Sequence, residues 1–151
     1  MDAMQGQVQT RAKILLAEDN PGDVFLVRRA LALHDIDVDL TVISDGQTAL
    51  RFVDRADAGE AGCDPDLMLL DLNLPRAGGS RILERVQRSE RLAGTPVVVV
   101  TSSDSQADRD TAARLGAMHF FHKPTDLAGF MQLGAIVRGL LQTRATAASA
   151  T

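Results

Sequence analysis

A chain of 151 residues is about the length of one domain. Sixteen Lys and Arg against twenty Asp and Glu leave a net charge of −4, so there is no general electrostatic pull toward nucleic acid or an anionic membrane. With no Trp, no Tyr and five Phe set apart from basic runs, the stacking platforms of single-strand binders are missing, while 45% apolar residues exclude wholesale disorder.

No run approaches the roughly 20 apolar residues of a membrane span. Met1 to Gln9 is polar and lacks the apolar heart of a signal peptide. The lone Cys63 cannot form an internal disulfide, which fits a reducing compartment. These features predict a soluble, cytoplasmic protein.

In chain order, residues 1–11 read as a flexible leader. The first strand-length apolar burst is Lys13–Ala17, followed by Asn20 as helix N-cap, Pro21 at the first helical position and Asp23 where a cap partner belongs. Val38–Ile43 is the second burst, and Asp45 opens the second helix. A long Ala-, Gly- and Asp-rich loop, Asp54 to Asp64, leads to the third burst, Asp66–Leu70, with Gly79-Ser80 opening the third helix. The fourth burst is Pro96–Val100. Ser103 and Gln106 have capping-box spacing for the fourth helix, and Gly116 closes it. Ala117–Phe121 is the fifth burst, and Asp126 starts the last helix. The end, residues 143–151, is almost entirely Ala, Thr and Ser and is expected to fray as a flexible tail. Leu67–Leu70 and Val97–Val100 are apolar at every position, as strands buried on both faces are. Five β-α repeats over residues 12–142 predict a single α/β domain, a doubly wound five-stranded parallel sheet flanked by five helices.

Ligands of such sheets bind beyond the carboxyl ends of the strands. The first strand ends in Glu18-Asp19, the third in Asp71, the fourth in Thr101, and the fifth runs into Lys123-Pro124. Three acids, a hydroxyl and an ammonium thus fall at one edge. Clustered carboxylates need a cation, and hard oxygen ligands favour Mg²⁺. Such a metal bridges carboxylate and phosphoryl oxygens, and an adjacent aspartate can act as nucleophile to give an acyl phosphate. Spacing alone does not say which aspartate is attacked.

This constellation resembles the receiver domain of two-component response regulators, the CheY-like family. Glu18-Asp19 is similar to that family's acidic pair and Asp71 to its phosphoacceptor. Asp71-Leu72-Asn73-Leu74-Pro75 with Gly79 resembles the loop that follows. Thr101, thirty residues after Asp71, and Lys123, fifty-two after it, match the family's Thr/Ser and Lys. The resemblance covers residues 12–140. It implies a flavodoxin-like receiver fold with strand order 2-1-3-4-5, and phosphorylation of Asp71 by a sensor histidine kinase. It also implies Mg²⁺ held by Asp19, Asp71 and the backbone carbonyl of Asn73, with Glu18 assisting through water. Thr101 and Lys123 would contact the phosphoryl group, and Phe120 stands at the switch-aromatic position. The Lys123–Pro124 bond would be cis, and output would pass through the surface of the fourth helix, fifth strand and fifth helix. Leu74 departs from the family, standing where methionine is common. The opening Glu18 to Asp23 and the long loop resemble the single-domain regulators paired with bacterial phytochromes, which makes a bacteriophytochrome the implied kinase.

Other features read more plainly. His119 and His122 are three apart on a strand and point to opposite faces, which argues against a metal pair. Gly78-Gly79 is a turn and not a phosphate cradle. Arg76, Arg81, Arg85, Arg88 and Arg91 read as a solvated helix face. The last helix, from Leu127 to Leu141, carries more apolar residues than one stripe needs, and a homodimer through it is expected. With no output region after that helix, the chain reads as a stand-alone switch. Two other readings compete with it. A Mg²⁺-dependent aspartyl phosphatase would need a second Asp where Asn73 stands, and a phosphorylation-independent adapter would not need all five site residues.

Overall fold

The computed structural model describes residues 11–150, with side chains as far as Arg144. Apart from Arg11, the leader expected over residues 1–11 lies outside the described residues. Strands and helices alternate as β1 (Ala12–Ala17), α1 (Pro21–Leu33), β2 (Val38–Ile43), α2 (Gly46–Asp57) and β3 (Leu67–Leu70). They continue as α3 (Gly79–Arg88), β4 (Val97–Thr101), α4 (Gln106–Arg114), β5 (His119–His122) and α5 (Leu127–Ala150). All pairings are parallel and the strand order is β2-β1-β3-β4-β5, the doubly wound sheet expected from the sequence.

The period of two along each strand divides the core. Leu15, Ala17, Met68, Leu70, Val97 and Val99 pack against α2 and α3 on one face. Ile14, Leu16, Leu67, Leu69, Val98 and Val100 pack against α1 and α5 on the other. Both faces are covered, so the central strands are apolar at every position. Edge strand β2 is exposed at three of its six residues.

Several local expectations are met. Asn20 accepts the Asp23 N–H (3.1 Å), Asp45 accepts that of Thr48 (2.8 Å), and Asp126 accepts that of Gly129 (3.0 Å). Gly116 takes φ +92° after α4, a left-handed conformation that favours glycine.

Others are corrected. Ser105, not Ser103, caps α4, because Ser103 is already engaged: its N–H donates to Thr101 Oγ1 and its hydroxyl to the Asp108 carboxylate. Helix α3 begins at Gly79 as expected, but its N-cap is Gly78, which offers no side-chain cap. Every described peptide bond is trans, so the cis bond expected before Pro124 is absent; trans is the intrinsically favoured form of an X–Pro bond. Where a fraying tail was expected from residue 143, α5 continues to Ala150, through residues that include alanine, the strongest helix former. Phe130, Met131, Leu133 and Val137 of α5 are buried against the sheet and α1, and Ile136, Leu140 and Leu141 are half-buried in the same cluster. Most of the apolar surplus read from the sequence therefore goes into that packing.

Candidate functional site

Register brings the site together. Ala17 is paired with both Ile43 and Leu70, and the Asp71 N–H donates to the Ala17 carbonyl (3.0 Å), so Glu18-Asp19 and Asp71 leave the sheet side by side. On the other side of β3, the Lys123 N–H donates to the Thr101 carbonyl (2.8 Å), which fixes where the lysine departs from β5. Four strands therefore deliver their polar ends to one edge.

Lys123 is the centre of this group. Its Nζ donates to Asp23 Oδ2 (2.7 Å), Glu18 Oε1 (2.8 Å) and Asp71 Oδ2 (3.1 Å). The lysine side chain is 11% exposed and that of Glu18 only 2%. Desolvation pulls the ammonium pKa down, but the hydrogen bonds it donates to Asp23 and Glu18 and the charges of Asp71 and Glu18 outweigh it and hold the group well above its ordinary value. For Glu18 burial dominates and raises the carboxyl, aided by the charge of Asp71. Hydrogen bonds from Lys123 and the Asn20 N–H (3.1 Å) oppose the rise.

Glu18, Asp19 and Asp71 each offer a carboxylate oxygen, and these oxygens lie within 4.8 Å of one another. Glu18 and Asp71 are buried and Asp19 is exposed, so the set opens to solvent on one side. With Asp23, the edge gathers four carboxylates, three of them paired with one ammonium. Hard oxygen donors carrying excess negative charge fit a divalent cation of the Mg²⁺ type.

Asn73 ties the remaining members together. Its N–H donates to Asp71 Oδ1 (3.0 Å) and its amide nitrogen to Thr101 Oγ1 (3.4 Å). Thr101 is fully buried, and its hydroxyl oxygen also accepts the Ser103 N–H (3.3 Å). Phe120 lies outside this hydrogen-bonded group. It is half-buried against the α2 and α3 side of the core, with the Arg109 guanidinium 4.6 Å from its ring centroid. Phe121, one residue on, enters the other core and meets Phe130 edge-on.

Asp23 is the residue that sequence reasoning undervalued. Read as a cap partner, it contributes only its backbone to the cap, and its side chain reaches Lys123. No local signal marked it: Asp19 precedes the Asn20 cap and lies outside α1, so helical spacing does not tie Asp23 to the acidic pair.

The other candidates do not join the site. His119 and His122 are exposed, and Arg85 pairs with Asp54 and Asp57. A cleft of ≈ 630 Å³ lies at the opposite edge of the sheet, lined by residues such as Lys13, Cys63, Arg91 and Thr95; none of the predicted site residues lines it. No helix among the described residues is long and apolar enough to cross a membrane.

Comparison with known proteins agrees with this geometry. The response regulator Rcp1 of Synechocystis is 38% identical over 95 residues, which cover 63% of this chain and 65% of that protein. The transcriptional regulatory protein TrcR of Mycobacterium tuberculosis is 36% identical over 130 residues, but the match spans only 45% of its length. The phosphorylated cyanobacterial phytochrome response regulator RcpA superposes with a TM-score of 0.80 at 30% identity, covering 89% of this chain and 96% of that one. The Mn²⁺-bound form of Rcp1 superposes at 0.74 with 32% identity, over 83% and 91% of the two chains. The response regulator receiver domain profile matches residues 14–133, most of the chain, and the chain belongs to that family.

Proposed function

We propose that Asp71 is the phosphoacceptor of this receiver and that Lys123, Thr101 and the Glu18-Asp19 pair serve it. The observation that carries the reading is the convergence on Asp71. The acceptor carboxylate lies 3.1 Å from a lysine ammonium, within 4.8 Å of two further acids, and on the same Asn73 bridge as a buried threonine. A carboxylate oxygen of Asp71 forms the new bond to phosphorus. The P–N bond of a phosphohistidine protonated at its other ring nitrogen breaks, and the electron pair leaves with neutral imidazole. Lys123 turns toward the transferred phosphoryl oxygens and the Thr101 hydroxyl hydrogen-bonds to them. Asp19, Asp71 and the Asn73 carbonyl would hold Mg²⁺, with Glu18 acting through water, and bound there it would supply charge neutralisation for carboxylate and phosphoryl oxygens. Water later returns Asp71 to the carboxylate and releases phosphate, so the catalysis is confined to the protein's own modification.

The donor is a sensor histidine kinase, and the likeness to Rcp1 and RcpA supports a bacteriophytochrome in that role. A cytoplasmic setting suits the free Cys63. Output passes through α4, β5 and α5, where Phe120 lies under Arg109 and where Met118 (60%) and Leu127 (56%) are exposed. These two apolar side chains support self-association through the start of α5, checked by light scattering with and without phosphorylation. The output calls on neither nucleic acid nor a membrane.

The test is intact mass after incubation with acetyl phosphate and Mg²⁺. One added phosphoryl group that is absent from Asp71→Asn and lost when EDTA replaces Mg²⁺ is expected. No adduct from any donor, together with partner binding unchanged in Asp71→Asn, would overturn the reading in favour of a phosphorylation-independent adapter.

A further inference from the structure

Lys123 has three carboxylate partners, and they are not equivalent. Glu18 and Asp71 belong to the oxygen cluster suited to a divalent cation. Asp23 does not, yet it makes the shortest of the three contacts, 2.7 Å. It reaches the ammonium from the first turn of α1, where the Asn20 cap fixes its backbone. Of the three partners of the lysine, Asp23 alone lies outside the oxygen cluster suited to a cation.

We infer that Asp23 is a positioning residue that holds the Lys123 ammonium away from an incoming phosphoryl group while favouring the divalent cation. Two physical effects act in the same direction on each ligand. The Asp23 charge adds to the negative potential that attracts the cation, and by holding Lys123 it weakens the lysine's competition for Glu18 and Asp71. For a phosphoryl group both effects reverse: its negative oxygens meet one more anion, and the ammonium they need is already engaged. The inference rests on Asp71 being the acceptor and adds to that reading a residue that sets how readily the phosphorylated state forms.

The experiment titrates parent, Asp23→Asn and Asp23→Glu, first with Mg²⁺ alone and then with beryllofluoride at saturating Mg²⁺, following the amide resonances of Asp71, Thr101 and Lys123. In Asp23→Asn the Mg²⁺ dissociation constant is expected to rise about three- to tenfold, in the range a partly exposed charge supports, and the beryllofluoride constant to fall by a similar factor. Asp23→Glu, which keeps the carboxylate, stays close to the parent in both. Opposite shifts separate positioning from a structural role, because a loosened α1 would weaken both ligands together. Any other pattern in Asp23→Asn overturns the inference, including a change in one constant only. A parent chain that binds Mg²⁺ but takes up no beryllofluoride refutes the acceptor reading and this inference with it. A parent that binds both while Asp23→Asn alters neither refutes the inference alone.

Discussion

Replacing Lys123 by methionine removes the one ammonium among Glu18, Asp23 and Asp71 while keeping a flexible chain of similar length. At an effective dielectric of 20, each contact of 2.7–3.1 Å is worth roughly 5–6 kcal/mol before desolvation is charged against it. Removing one partner of a buried ion pair costs about 3–5 kcal/mol net. Asp23 is partly exposed, which places the expected loss near the lower end, about 3 kcal/mol. For a domain of this size that is a fall in Tm of roughly 6–12 °C.

The loss has a pH signature. Burial already raises the Glu18 carboxyl above its ordinary 4.5, and losing Lys123 raises it further. A carboxyl raised on folding takes up protons in the folded state, so its stabilising contribution is complete below 4.5 and is lost as pH rises through the folded value. The deficit of Lys123→Met against the parent is therefore largest at pH 7 and shrinks toward pH 5. Urea denaturation of both proteins at the two pH values, in EDTA, measures it. A variant as stable as the parent at pH 7, or a deficit independent of pH, would refute the view that Lys123 neutralises this cluster.

Other substitutions test the scaffold around the site. Leu133→Ala empties a fully buried position between α5 and the second core and should cost about 3 kcal/mol in chemical denaturation. In Gly79→Ala the new Cβ would lie 2.6 Å from the Asp71 carbonyl oxygen and the Leu72 Cα. Both are backbone atoms, so the variant should lose stability and also slow its modification by acetyl phosphate, read by intact mass. Asp57 accepts the Ser89 hydroxyl (2.6 Å) and the Arg85 guanidinium (3.1 Å), which hold its carboxyl below the usual 3.8. Its contribution is present above 3.8 and disappears as pH falls through the lowered value, so Asp57→Asn should flatten the acid limb of a stability–pH curve.

The strand ends were legible because the chemistry sits one residue beyond each apolar run. Val97–Val100 followed by Thr101, and Leu67–Leu70 followed by Asp71, mark both the strand and the edge where it opens. Caps at Asn20, Asp45 and Asp126 were legible because they are local, each needing only the N–H three residues on. What the sequence hid depends on groups far apart. Asp23 bonds across 100 residues to Lys123, and nothing near Asp23 distinguishes that from an ordinary first-turn acid. Likewise, the apolar surplus of α5 looked like an interface because the sequence does not show that α1 lies beside it. Ser103 misled for the opposite reason: two correctly spaced serines competed for one cap, and Asp108 decided between them.

The bond from Lys123 to Glu18 closes a span of 105 residues, and α5 beyond it packs back onto α1. During synthesis the acidic edge is therefore complete long before its counter-charge exists. A nascent or truncated chain that ends before β5 has the carboxylates of Glu18, Asp19 and Asp71 but no ammonium to set against them. Only a chain folded through β5 sets an ammonium against this edge, so its charge balance depends on long-range folding rather than on any local segment.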